Sequence, residues 1–263
     1  MLLIKIGGGA DINIKGIIED LAKLDEKFII LHGANALRDQ IGEKIGYKKR
    51  VVTSVSGYDS VFSAEETIDL MMMTYAGLRN KRIVELCHQN GINAVGLSGL
   101  DGKVVEAKRN SGIRVRENGK TLLLRDFSGK PKSINKHLLD LLLDNGYTPV
   151  LSVPLIDENN FAVNSENDDI LALLQKEFNA DKIISLIEAP GFLLDKNDPD
   201  SLVNNISRNE LEAMEQKVEG RMKRKILALR KLFEGSPTTV IISDGRTAHP
   251  VDDALNGKGT TIS

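Results

Sequence analysis

Four stretches of the chain gather residue types suited to holding a strongly negative group. Lys5 stands inside an apolar strand pattern, Leu2-Leu3-Ile4-Lys5-Ile6, and runs directly into Gly7-Gly8-Gly9. Central strands of a doubly covered sheet rarely carry a lysine unless its charge is paired or used. An edge strand with Lys5 in water is the bland alternative, and the glycines that follow favour a functional lysine. A second strand pattern also ends in glycine, as His32-Gly33-Ala34-Asn35. Glycine after a strand lets backbone N–H groups approach a ligand closely, and a helix starting there adds its positive end. Farther along, Asn164 and Asp168 form N-x-x-x-D at the opening of a helix, where Asp169 is explained by the helix dipole alone. Finally, Arg221, Lys223, Arg224 and Lys225 crowd the front of "EGRMKRKILAL". Cations oppose the macrodipole at that end, so four together imply that something negative is held there.

Several chemistries are excluded by the same inspection. The chain has no G-x-x-x-x-G-K-[ST], no G-x-S-x-G, and a would-be G-x-G-x-x-G that fails at Ile12. The only cysteine is Cys87, and the four histidines are scattered without zinc spacing. A net charge of −2 and a pI near 6.1 argue against general nucleic-acid binding. The apolar start is too short for a signal core or a membrane span, and a cytoplasmic protein is expected.

The elements that must position these residues alternate regularly. Strand patterns fall at 2–6, 28–32, 93–98, 148–156, 180–187, 238–243 and 259–262. Helical patterns fall at 14–24, 35–45, 65–90 with Gly91 as stop, 135–146, 166–178, and one or two within 207–234. Met71, Met72 and Met73 suit helix packing. This β–α alternation predicts a largely parallel sheet covered on both faces, a three-layer α/β/α sandwich. Residues 103–127 break the pattern with short β-like runs split by "NSG" and "ENG", read as a β-hairpin insert added at one edge. The polar stretch near 154–165 suggests a division between lobes 1–160 and 161–263.

Taken in order, "KIGG", "HG", "GLSGLDG", Asn164-x-x-x-Asp168 and "GRMKRK" resemble the amino acid kinase family, over essentially the whole chain. The nearest branch is that of acetylglutamate kinase and the kinases acting on LysW-linked aminoadipate or glutamate. The resemblance implies an amino-acid lobe and an ATP lobe, MgATP as phosphoryl donor, a carboxylate as acceptor, a homodimer and no dedicated metal ligands. It implies that Lys5 and Lys225 flank the transferred group, that Asp168 organises both lysines, and that Gly7, Gly8 and Gly33 approach phosphate. It also places Ala34, Asn35 and Asn164 at the substrate. A carboxylate and a triphosphate repel each other, so positive charge and N–H groups between them are what such chemistry requires.

Three departures bear on the acceptor. Ala34 and Asn35 replace two expected glycines, Val61 stands where a substrate-binding arginine is expected, and "NSENDDI" lacks a glycine of its motif. Free N-acetylglutamate as substrate, or a weakly catalytic nucleotide-binding regulator, are the competing expectations. Lys108, Arg109, Arg114, Arg116 and Lys120 on the insert, with Lys48, Lys49 and Arg50, suggest docking of an acidic carrier protein of the LysW type. A solvated charged hairpin is the plain alternative.

Overall fold

The computed structural model describes the chain except residues 56–58, 118–119, 196, 218–219 and 234–237, and leaves aside the side chains of 59–61, 117, 199, 217 and 220–225. Along the first half lie β1 (Leu2–Ile6), α1 (Ile14–Leu21), β2 (Phe28–His32), α2 (Asn35–Lys44), β3 (Val51–Thr53), β4 (Asp59–Val61), α3 (Glu65–Met71), α4 (Asn80–Gln89) and β5 (Ala94–Ser98). The insert supplies β6 (Val105–Arg109), β7 (Ile113–Glu117), β8 (Lys120–Leu124) and β9 (Gly129–Ile134). Then come α5 (Lys136–Asp144), β10 (Thr148–Ser152), β11 (Leu155–Asp157), β12 (Ala162–Val163), α6 (Asn167–Phe178) and β13 (Lys182–Ile187). The chain closes with β14 (Asn205–Ile206), α7 (Arg208–Lys217), α8 (Gly220–Lys231), β15 (Thr239–Asp244), α9 (Pro250–Leu255) and β16 (Thr260–Ile262).

Eight strands form the main sheet in the order β14-β16-β15-β13-β1-β2-β10-β5. The pairs from β15 through β5 are parallel, and β16 returns antiparallel on β15. β1 is central, and Lys5 sits in register between Leu31 and Ser185. Alternation along β1 and β2 sends Ile4, Ile6 and Ile30 into a core with α1, α4 and α9, where Ile17, Ile18, Ile83 and Val251 are buried. Leu3, Ile29 and Leu31 face the opposite core with α5, α6 and α8, against Leu139, Leu171, Leu174 and Ile226. Strands buried on both faces read as continuous apolar runs, which is why their sequence is so plain.

The observed elements depart from the sequence reading in three places. The helix expected over 65–90 is one continuous rod to Asn90, but its middle, Met72–Arg79, is π-helical. Gly91, at φ +79°, ends it in the left-handed region as expected. Met71 packs in the core, whereas Met73 is exposed. The strand expected over 148–156 stops at Ser152, and β11 joins a second sheet. That second sheet, β12-β11-β6-β9, corrects the placement of the insert. It does not extend an edge of the main sheet; Val105, Ala107, Leu155 and Val163 bury against the α6 side of the core. Only β7 and β8 make the expected two-stranded hairpin.

Candidate active site

Lys5 points to the α6 side of the sheet and its Nζ donates to Asp168 Oδ1. The lysine side chain is 15% exposed and the aspartate 49%. Asp168 lies in the first turn of α6, where the dipole favours its charge. Its neighbour Asn167 donates from Nδ2 to the His32 carbonyl at 3.1 Å, tying the start of α6 to the end of β2. Asn167 Oδ1, Ser165 Oγ and Ser152 Oγ are buried without partners among the described residues, so this end of the sheet retains unused polar capacity.

The two glycine loops are pressed together. Gly8 O accepts from Ala36 N at 2.9 Å. A Cβ on Gly8 would lie 2.7 Å from Asn35 N and 2.8 Å from Ala34 N, a contact only glycine allows. The N–H groups of Gly7 and Gly33, expected at phosphate, are engaged in the sheet instead, donating to Leu186 O and Ile6 O, each at 2.9 Å. Those two glycines serve close packing, since a Cβ on Gly33 would be 2.9 Å from Gly8 N. The N–H groups of Gly8 and Asn35 donate to nothing among the described residues and remain available.

His32 is fully buried behind this loop. Burial pushes its pKa down to about 3, so the ring is neutral at physiological pH. Its Nε2 faces the Asn80 Nδ2 donor at 3.2 Å, which places the proton on Nδ1, 3.3 Å from Gly33 O. Asn80 also donates to Val150 O at 2.9 Å. The helix that holds Asn80 thereby fixes the second loop from behind. Neither Asn80 nor Asn167 was singled out in the sequence; an isolated asparagine carries no signal until the fold supplies its partners.

Asn164 sits between the insert and the segment after β4. Its backbone bonds Phe127 O and Gly129 N at 2.7 and 2.8 Å, and its Nδ2 donates to Ser63 Oγ at 3.2 Å. Buried Asp126 supports the same junction by accepting from Ser63 N at 3.1 Å and from Ser128 Oγ at 2.6 Å. The Lys225 side chain, and those of Arg221, Lys223 and Arg224, lie outside the described residues, as does that of Val61. The helix carrying them is nevertheless anchored beside α6. Ile226 is fully buried, and Lys231 pairs with Asp169 at 2.6 Å, giving Asp169 a partner besides the dipole.

On the insert, Arg114 and Arg116 are exposed, while Val115 between them is buried and bridges to Ser54. Arg109 is not part of that open surface. It pairs with buried Asp157 at 3.4 Å and stacks 4.1 Å over the ring of Phe127. Lys49 is engaged by Asp39 at 2.9 Å and Arg50 stacks on Phe62. One acidic group of metal-ligand spacing, Asp20 with His249 and Asp252, occurs among the described residues. Asp20 is saturated there by Lys23, His249 and the Val251 and Asp252 N–H groups, so it works as a tether for α9.

A paired lysine, free N–H groups and two helix starts above the carboxyl ends of a parallel sheet suit one task, holding and moving phosphate. The class so defined is an α/β kinase built without a P-loop. The chain belongs to the amino acid kinase family, whose profile matches residues 1–244. It is 37% identical to the [LysW]-aminoadipate kinase of Thermus thermophilus over 268 aligned positions, covering all of both chains. It is 31% identical to the acetylglutamate kinase of Methanopyrus kandleri, again over the whole of both. Among solved structures, the N-acetylglutamate synthase of Neisseria gonorrhoeae superimposes with TM-score 0.77 at 19% identity, over all of this chain and 59% of that one. The T. acidophilum isopentenyl phosphate kinase gives 0.61 at 15% over the whole of both. These two likenesses establish the fold. No helix among the described residues is long and apolar enough to cross a membrane.

Proposed function

We propose that the chain transfers the γ-phosphoryl group of MgATP to the side-chain carboxylate of aminoadipate or glutamate whose amino group is blocked by a LysW-type carrier. A carboxylate oxygen attacks the γ-phosphorus, the bond to the ADP oxygen breaks, and an acyl phosphate and ADP result. Blocking the amine keeps it from attacking the activated carbonyl within the same molecule. The observation that carries the reading is the full-length 37% identity to a [LysW]-aminoadipate kinase, joined to a Lys5–Asp168 pair beside two free loop N–H groups.

In this reading Lys5 and Lys225 neutralise charge on the moving phosphoryl group and Asp168 holds the lysines in place. Gly8 and Asn35 offer N–H groups to the oxygens between donor and acceptor. Asn164, with Ala34 and Asn35, borders the acceptor. Mg2+ would come with the triphosphate as part of the donor and would add positive charge to it. Residues 1–160 take the acceptor and 161–263 the nucleotide. We read the protein as a cytoplasmic homodimer, and the open cations Lys108, Arg114, Arg116 and Lys120 as the approach for an acidic carrier.

Hydroxamate trapping of the acyl phosphate tests this with carrier-linked aminoadipate, carrier-linked glutamate and N-acetylglutamate in parallel. ATP-dependent hydroxamate from a carrier-linked acid is the expected result. Product from N-acetylglutamate alone selects the free-substrate kinase, and none from any acceptor rejects the assignment.

A further inference from the structure

One polar group at the site is held in place without a use. Asn35 begins α2, yet its carboxamide does not cap that helix. Its Oδ1 accepts instead from the hydroxyl of Tyr75, on the π-helical turn. Tyr75 is buried, and in this contact its hydroxyl is the donor. Burial pushes the phenol up to about 12, so the hydroxyl keeps its proton at physiological pH. The carboxamide that accepts this hydrogen bond turns Oδ1 toward Tyr75 and leaves Nδ2 free. Asn35 is exposed, and its Nδ2 has no partner among the described residues.

Position supplies the second argument. The backbone N of the same residue lies against Gly8, so the two free N–H groups adjoin, and the carboxamide extends from one of the residues that bear them. Asn35 follows β2, on the β10 and β5 side of β1, whereas β13 and β15 lie on the other side. With the nucleotide over β13 and β15, Asn35 is on the acceptor's side of Lys5.

We propose that Asn35 is a specificity-determining substrate contact, donating from Nδ2 to an oxygen on the α-carbon of the acceptor, and that Tyr75 is the positioning residue that aims it. The inference rests on the acceptor reading given under Proposed function. A two-donor carboxamide suits either a carboxylate oxygen or the carbonyl of a blocked amine, and both are borne on that carbon. It also gives the Asn in place of glycine a purpose. Glycine would leave the backbone donor alone, while Asn adds a second one held off the first by Tyr75.

Steady-state kinetics on the full chain test this with Asn35→Gly, Asn35→Asp, Tyr75→Phe and the Asn35→Gly/Tyr75→Phe double variant. Asn35→Gly should raise KM for the acceptor about tenfold or more, the usual cost of losing a hydrogen bond to a charged group, with kcat and the KM for ATP little changed. Asn35→Asp keeps the Tyr75 bond but presents an acceptor oxygen outward, and should bind worse than glycine. Tyr75→Phe should raise acceptor KM when Asn35 is present and have no further effect in the Asn35→Gly background, where there is nothing left to aim. Replacing the acceptor's α-carboxylate by an amide separates the two oxygens: the Asn35→Gly penalty vanishes if the carboxylate is the partner and persists if the blocking carbonyl is. Unchanged acceptor KM in Asn35→Gly, or a Tyr75→Phe loss of equal size in both backgrounds, overturns the proposal while leaving the kinase reading standing. A wild-type chain that yields no acyl phosphate overturns both.

Discussion

Replacing Lys5 by Met separates catalysis from stability. Met keeps most of the stem volume and removes only the charge. The lysine side chain is only 15% exposed, but that of its partner Asp168 is 49% exposed. A pair with one side half in water is worth about 0–1 kcal/mol to the fold, because solvent screens it. For a chain of this size about 1 kcal/mol moves Tm by roughly 2–4 °C, so the melting point should shift by no more than that. Catalysis should respond very differently. One preorganised charge contact to a transition state is worth roughly 3–4 kcal/mol, a loss of about 10²–10³ in kcat. Initial rates of ADP release with saturating acceptor, alongside a thermal melt, give both numbers from one preparation. A kcat within tenfold of wild type would refute the placement of Lys5 at the reacting group. A large kcat loss matched by a collapse in Tm would refute the claim that its role is chemical.

Gly8→Ala puts a Cβ 2.7 Å from Asn35 N, so the loops must part; overpacking of this kind costs roughly 1–3 kcal/mol, and turnover should fall with it. An Ala variant with wild-type kinetics and Tm would show that the loops are not interlocked. His32 has a folded pKa near 3 against an ordinary value of 6.5, so the unfolded chain binds the extra proton first. Its contribution to stability is therefore complete above about pH 6.5 and declines as pH falls toward 3; melts of wild type and His32→Gln across pH 4–7.5 should converge on the acid side, and parallel curves would contradict the assignment. Reversal of Arg114 and Arg116 to Glu should raise the KM for carrier-linked acceptor and lessen its salt dependence without altering the KM of N-acetylglutamate; equal losses on both acceptors would mean that the hairpin supports the fold.

The sheet was legible because its strands are buried on both faces and so appear as bare apolar runs between helical periods. Lys5 stood out against that background for the same reason. The break after Ser152 was not legible, because Val153, Pro154 and Leu155 prolong the apolar run while the chain crosses to the second sheet. The insert's placement was equally hidden: alternation in Val105–Arg109 marks a strand but not the sheet it joins. At the site, the sequence named Gly7, Gly8 and Gly33 together for phosphate; among the described residues the Gly8 N–H donates to nothing, whereas those of Gly7 and Gly33 are bonded within the sheet. Whether a glycine N–H is free depends on strand register, which no local pattern reveals. Tyr75, Asn80 and Asn167 were missed because each acts through a partner 40 or more residues distant. Arg109 counted among surface cations until its stack on Phe127 and its pairing with Asp157 came into view.

The most direct test of the central claim is the identity of the phosphorylated atom. Phosphorus-31 spectra taken during turnover with γ-labelled ATP and carrier-linked aminoadipate should show ADP and an acyl phosphate appearing in equal amounts. Hydroxylamine should discharge the acyl phosphate to a side-chain hydroxamate on the carrier-linked residue. ATP hydrolysis to free phosphate without hydroxamate, or a phosphate ester that survives hydroxylamine, would contradict carboxylate phosphorylation.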